Sequence, residues 1–263
     1  MKNVFWGVHS ALQDNAFASV LMIGDSWWWY PIDNLATEVG ALFQDEIFVV
    51  IGHNGAEASE WSQGMRKAIN FGFDMYASGC KALLLSGGGN DVAGQDDFLR
   101  LLNANCSSAT TVDQCFARIQ PDAVITGIMN AYREVIVRFR AHNPNAAVVM
   151  HNYDNAWPTG KGFFGPGTWL KAPMDTAQVP QALRRDVFKS LVNKLHVAQV
   201  ALAKEPGLGP GPLVAVQTSG ELPEDPGPTD ERWWANELHP TPKGFKRIAT
   251  NRLQTPLDQF LVG

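Results

Sequence analysis

The sequence predicts a doubly wound α/β fold built on a parallel sheet, and three observations carry that expectation. Five short runs rich in Leu, Ile and Val are each bounded by turn residues, stretches with helical apolar spacing lie between them, and polar residues follow each run. Strands buried on both faces read as continuous apolar runs, and strands alternating with helices give a parallel sheet covered on both sides.

The runs are SVLMI (19–23), IFVVI (47–51), KALLLS (81–86), AAVVM (146–150) and LVAVQ (213–217). The clearest helix is expected from about Asp122 to Ala141, where Ile125, Ile128, Met129, Tyr132, Ile136 and Phe139 recur at three- and four-residue steps. A second covers Gln181–Ala203. The last follows Thr241-Pro242 and carries Phe245, Ile248, Leu253, Leu257 and Phe260. Residues 154–180 (DNAWPTGKGFFGPGTWLKAPMDTAQVP) show neither period and are rich in Gly, Pro and aromatics, so they are expected to form a flap over a site. With 263 residues, no internal repeat and no long linker, the chain is expected to form a single domain over 1–263.

Composition narrows the function classes. A net charge of −5 without any window rich in Lys and Arg gives no footprint for nucleic acid. No apolar run approaches the roughly 18 residues of a membrane span. The segment MKNVFWGVHSALQDNAF lacks an apolar stretch followed by a cleavage site, so a cytoplasmic location is the expectation. Cys106 and Cys115 bracket the polar SSATTVDQ, a spacing that allows a local disulfide, and such a bridge would favour an exported location instead. The three cysteines lack Cys/His ligand spacing, and neither a metal nor another cofactor is expected.

In an open parallel sheet, ligands bind outside the carboxyl ends of the strands. The residues there form a polar rim: Gly24, Asp25 and Ser26; Gly52, His53, Asn54 and Gly55; Gly87 to Asp91; His151 to Asp154; and, in the last loop, Asn236 to Pro240. Serine attack on a carbonyl needs a base for the hydroxyl proton and donors for the developing oxyanion. Ser26 at a strand-to-helix turn with His239 as base would meet the first need. The N–H groups of Ser26 and Gly55 and the side-chain amide of Asn90 would meet the second. Asp25 and Asp91 are expected to orient loops, His53 and His151 to be hydrogen-bonded rim residues, and His9, His142 and His196 to be structural or exposed.

These residues resemble the blocks of the SGNH, or GDSL-type, hydrolases. Gly24-Asp25-Ser26 looks like the family's nucleophile block, Gly55 like its second-block glycine, Gly88-Gly89-Asn90-Asp91 like GxND, and Asn236 to Pro240 like DxxHP. The four blocks stand in the family's order from residue 24 to 240. The resemblance implies a flavodoxin-like three-layer sandwich with a five-stranded sheet of order 2-1-3-4-5. It also implies hydrolysis of esters or related acyl bonds through an acyl-enzyme, without a metal.

One position departs from the pattern: the acid expected three residues before the histidine is Asn236. An amide oxygen can accept from the imidazole N–H and fix its tautomer, as in papain-like proteases, but it offers the imidazolium no negative charge. Asp154, after the fourth run, is the other candidate to orient His239; Glu237 is disfavoured because adjacent positions seldom face the same way.

Three consecutive tryptophans follow the serine. Helical neighbours point about 100° apart, so they cannot all line one pocket. One or two are expected beneath the sheet edge and at least one in the cleft. Asp25, Trp27, Trp28, Tyr153, Asp154, Trp157 and Trp234 form the expected substrate-facing set, with Trp61, Phe163, Phe164, Trp169 and Trp233 in segments that reach the same rim. Aromatic walls suit a lipid-like acyl chain, an aryl ester or an acylated sugar. The expected function is a serine esterase acting on a small-molecule ester. The alternatives are an O-deacetylase of carbohydrate or other polar esters, and a binding module that lost turnover with the aspartate.

Overall fold

The computed structural model describes residues 2–116, 121–163, 165, 167, 169–224 and 231–262. Its sheet has six parallel strands: β1 (Val4–Trp6), β2 (Val20–Gly24), β3 (Phe48–Gly52), β4 (Ala82–Ser86), β5 (Ala147–His151) and β6 (Leu213–Val216), in spatial order β1-β3-β2-β4-β5-β6. The five expected strands are β2 to β6, and their order is the expected 2-1-3-4-5. Every residue of β2, β4 and β5 is buried, which is why these strands read as unbroken apolar runs.

The expected strand count of five is corrected to six. Strand β1 is three residues long, too short to show a period, and it exists because β3 offers it a free edge: Val4 pairs with Phe48, Phe5 with Val49 and Trp6 with Val50. The Asn3 amide anchors its start by donating to the carbonyls of Gly40, Phe43 and Glu46.

Helices flank the sheet in two layers. Arg66–Tyr76, Pro121–His142 and Arg184–Ala203 pack side by side in one; Leu35–Leu42 packs with Pro242–Ile248 in the other, with Gln254–Leu261 continuing beyond a π-helical stretch, Ala249–Leu253. Tyr132, Val135, Ile136 and Phe139 are fully buried on the stripe that the helical spacing of 122–141 implies. The Gln181–Ala203 segment begins with a 3₁₀ turn, Gln181–Leu183, before the α-helix starts.

The aromatic segment 154–180 is more ordered than its sequence suggests. It contains the helix Lys171–Thr176, and Leu170, Met174 and Ala177 are fully buried. Those three do keep a helical i, i+4, i+7 spacing, disguised by Pro173. A proline in the first helical turn removes no intrahelical bond, so it does not break the helix. Cys80, Cys106 and Cys115 are free thiols; no disulfide joins Cys106 to Cys115, although the Cys106 thiol contacts the Cys115 carbonyl at 3.6 Å. Burial pushes the Cys115 thiol up to about 11, which makes it unreactive. Among the described residues no helix is long and apolar enough to cross a membrane.

Candidate active site

Strand β2 ends at Gly24 because the sheet closes tightly there: a Cβ at Gly24 would stand 2.2 Å from the Ser86 carbonyl oxygen. Asp25 then caps the short helix Ser26–Trp29, its carboxylate accepting from the Trp27 N–H at 3.0 Å. The same carboxylate accepts from the Ser86 hydroxyl at 3.2 Å and from the Tyr153 hydroxyl. Burial pushes Asp25 up to about 6 against the pull of these donors. The cap fixes Ser26 at the first position of the helix, on the rim beyond β2.

Ser26 Oγ stands 2.8 Å from His239 Nε2, and His239 Nδ1 stands 3.0 Å from Asn236 Oδ1. The backbone N–H groups of Leu238 and His239 also converge on Asn236 Oδ1, each at 2.9 Å. Three donors on one atom settle which end of the amide faces the ring, so Nδ1 carries the proton and Nε2 is left to accept from Ser26. Asn236 Nδ2 donates to the Tyr30 hydroxyl at 3.0 Å.

Tyr30, which the sequence reading did not single out, stacks on the imidazole with ring centres 4.2 Å apart and planes 10° from parallel, while Trp169 meets the same ring edge-on at 5.9 Å. With His239 only 7% exposed, burial pulls the imidazole down to about 3. The folded state therefore favours the neutral ring, and this contribution to stability is complete above the ordinary histidine value of about 6.5 and is lost as pH falls from there towards 3.

The three tryptophans diverge. Trp27 lines the cavity beside Ser26 and donates its indole N–H to the Leu238 carbonyl at 3.2 Å, tying the Ser26 helix to the histidine loop. Trp28 is sealed in the core against His151 and is corrected from the substrate-facing set. Trp29 faces a different cavity, floored by Gly52. A lone serine beside three tryptophans thus reflects one helical turn that serves a site, a core and a second cavity.

The other expected residues divide in the same way. Asn90, Asp25, Tyr153 and Asp154 line the Ser26 cavity together with Ala93, Phe188 and Leu238. Gly88 adopts φ +98°, the left-handed turn that starts the Asn90 helix, and Asn90 Nδ2 donates to the Ala56 carbonyl at 3.0 Å, leaving its second amide hydrogen for other partners. Gly55 stands on the exposed turn just before Ala56, at φ +81°.

Asp154 does not reach the histidine. Its carboxylate accepts from the N–H groups of Asn155, Gly220 and Leu222, which pins the loop after β6, so Asp154 as the orienter of His239 is corrected. Trp157 stacks on the Arg185 guanidinium at 3.7 Å and does not line the cavity beside Ser26. Trp234, whose backbone bridges to Pro240, is buried and does not line the cavity beside Ser26. Trp61 is buried in the core beneath Gly87. Phe163 packs edge-on against Tyr30 at 5.5 Å, Lys243 and Arg247 cover Trp233, and Phe164 lies outside the described residues.

Glu237, fully buried, has a task that spacing alone does not reveal. Its carboxylate accepts from the N–H groups of Gly160, Lys171 and Leu170 at 2.8, 2.9 and 3.2 Å. The aromatic loop that carries Trp169 is thereby bolted to the loop that carries His239. In Glu237→Gln an amide NH₂ would replace one acceptor, leaving a buried backbone donor unpaired at a cost of about 1–3 kcal/mol. Amide hydrogen exchange at Gly160, Leu170 and Lys171 is expected to accelerate, and KM to rise severalfold with little change in kcat.

The chain matches the GDSL-like lipase/acylhydrolase family over residues 22–247. No curated protein matches the sequence. Solved structures share the fold: an extracellular lipase from Streptomyces rimosus at 15% identity and a TM-score of 0.53, covering 89% of this chain and 98% of that one; a phospholipase A1 from Streptomyces albidoflavus at 15% and 0.52, covering 89% and 99%; and a carbohydrate esterase family 3 protein from Talaromyces cellulolyticus at 14% and 0.51, covering 94% and 99%. At such identities the likeness is one of fold. The family match spans all four blocks, and the chain belongs to the GDSL-like lipase/acylhydrolase family, a hydrolase of ester substrates.

Proposed function

We propose that this hydrolase cleaves short-chain carboxylic esters through an acyl-enzyme on Ser26. The observation that carries the reading is the unbroken chain Ser26 Oγ, His239 Nε2, His239 Nδ1, Asn236 Oδ1, with steps of 2.8 and 3.0 Å. Ser26 Oγ attacks the ester carbonyl while His239 Nε2 takes its proton. The tetrahedral oxyanion is met by the N–H groups of Ser26 and Gly55 and by the free amide hydrogen of Asn90. His239 then returns the proton to the departing alcohol, and water, activated by the same nitrogen, releases the acid and restores Ser26.

Asn236 orients the base without charging it. The imidazolium that forms on proton transfer is buried with no carboxylate against it among the described residues, and the Tyr30 face stacked on it supports the reading that the ring supplies part of the missing stabilisation. A cation over an aromatic face is worth about 0.5 kcal/mol when exposed and about 2 kcal/mol or more when desolvated.

The preference for a short acyl group rests on space. The cavity beside Ser26 measures about 20 Å³, room for one water-sized group and so for the methyl of an acetyl ester. That favours the O-deacetylase reading over a long-chain lipase, with the alcohol side unassigned. A fluorophosphonate is expected to label Ser26, and p-nitrophenyl acetate to be hydrolysed with a kcat/KM at least about tenfold above that of p-nitrophenyl octanoate, the discrimination expected of an apolar pocket with no room for added methylenes. Absence of labelling would return the chain to the binding-module reading; a preference for octanoate would remove the short-acyl assignment.

A further inference from the structure

Outside the carboxyl ends of β1 and β3 lies a second cavity, of about 750 Å³. That is within the span of roughly 300–1,000 Å³ usual for small-molecule sites, and strand ends are where open α/β sheets place them. Gly52 forms its floor. Its walls are half-buried aromatic rings: Trp6 at the end of β1, Trp29 at the end of the helix that begins with Ser26, and Phe71 on Arg66–Tyr76. Trp6 and Trp29 meet edge to face with centres 6.4 Å apart. The added strand β1 and the helix Val8–Gln13 behind it therefore create one side of this cavity.

The charges around the cavity describe what it would accept. In a chain of net charge −5 its lining holds no carboxylate, while Lys67 and His9 stand at it, exposed and without an ion-pair partner among the described residues.

We propose that this cavity is a binding site for a carboxylate with an aromatic or alkyl body. The body lies between Trp6, Trp29 and Phe71. The carboxylate takes the Lys67 ammonium as its counter-charge. The site does not depend on which residue attacks the ester.

The test is a calorimetric titration of the full chain with 2-naphthoate. Saturable binding is expected, with the same Kd in Ser26→Ala, because the cavity is not the one beside the serine. Ala68 lines the cavity from an exposed helical position, so Ala68→Trp fills the space without entering the core and is expected to weaken binding at least about tenfold. Hydrolysis of p-nitrophenyl acetate at the wild-type rate shows that this variant is folded. Lys67→Met is expected to weaken 2-naphthoate severalfold while leaving the neutral 2-naphthalenemethanol unaffected, which separates charge from shape. The proposal is overturned if no saturable binding occurs below about 5 mM, if Ser26→Ala abolishes binding, or if Ala68→Trp and Lys67→Met both bind as the wild type does.

Discussion

Ser26→Ala is expected to lower kcat by about five to six orders of magnitude, with KM and thermal stability close to wild type. Removing a nucleophile in a serine–histidine system costs about this much because the members act as a unit, and what survives comes from the oxyanion donors and binding. The substitution removes one hydroxyl at a helix start, where the cap on the helix belongs to Asp25 rather than to Ser26, so the turn keeps its support. Steady-state kinetics with p-nitrophenyl acetate and a thermal melt check both halves. A variant that keeps more than about a tenth of wild-type kcat would move the nucleophile to another residue.

Asn236→Asp is expected to raise kcat by about tenfold to a hundredfold, and to raise the His239 pKa by about one to three units, the usual effect of an opposite charge at hydrogen-bond distance. The position can take a carboxylate. Leu238 N–H, His239 N–H and His239 Nδ1–H already point at Oδ1, and the Tyr30 hydroxyl, now an acceptor from Nδ2, can rotate to donate to the new oxygen. The direction of the pH effect follows from burial. His239 is held at about 3, so the wild-type base stays unprotonated well below neutrality and the acid limb of kcat/KM set by this group lies low. In Asn236→Asp that limb moves up in pH while the plateau rises.

Tyr30 supplies the cross-check. Tyr30→Leu in the wild-type background is expected to cost about five- to thirtyfold in kcat, the range of a desolvated cation–π contact, while Tyr30→Phe keeps the ring and most of the rate. In the Asn236→Asp background the penalty of Tyr30→Leu should shrink, because the carboxylate then carries the imidazolium. Equal penalties in the two backgrounds would show that Tyr30 only packs against the histidine, and an Asn236→Asp variant no faster than wild type would show that charge at this position does not limit the reaction.

By itself the sequence determined the elements of the sheet and most of the rim. Strands β2 to β6 and the helices Pro121–His142 and Arg184–Ala203 were legible because burial on two faces leaves an unbroken apolar run, and burial along one stripe leaves a helical period. Ser26, Asn90 and His239 were legible because each stands in the polar rim after a strand or in the last loop, and Asn236 because it stands where the resembled family carries its acid. Strand β1 was not, since three residues show no period and its cause is the open edge of β3. The helix Lys171–Thr176 was hidden by a proline that the first turn tolerates.

Tertiary structure decided what these residues touch. Asp154 and Asn236 were both candidates in sequence, and only the path of the loop after β6 turns one to Gly220 and Leu222 and leaves the other against the imidazole. Glu237 follows Asn236 in sequence but faces the opposite way, onto the N–H groups of Gly160, Leu170 and Lys171. Tyr30 lies 209 positions from His239, counted from the numbering, and stacks on it because the helix after β2 and the last loop converge on one strand end. Contacts of that separation depend on how the sheet brings its carboxyl ends together, and no local pattern in the chain records them.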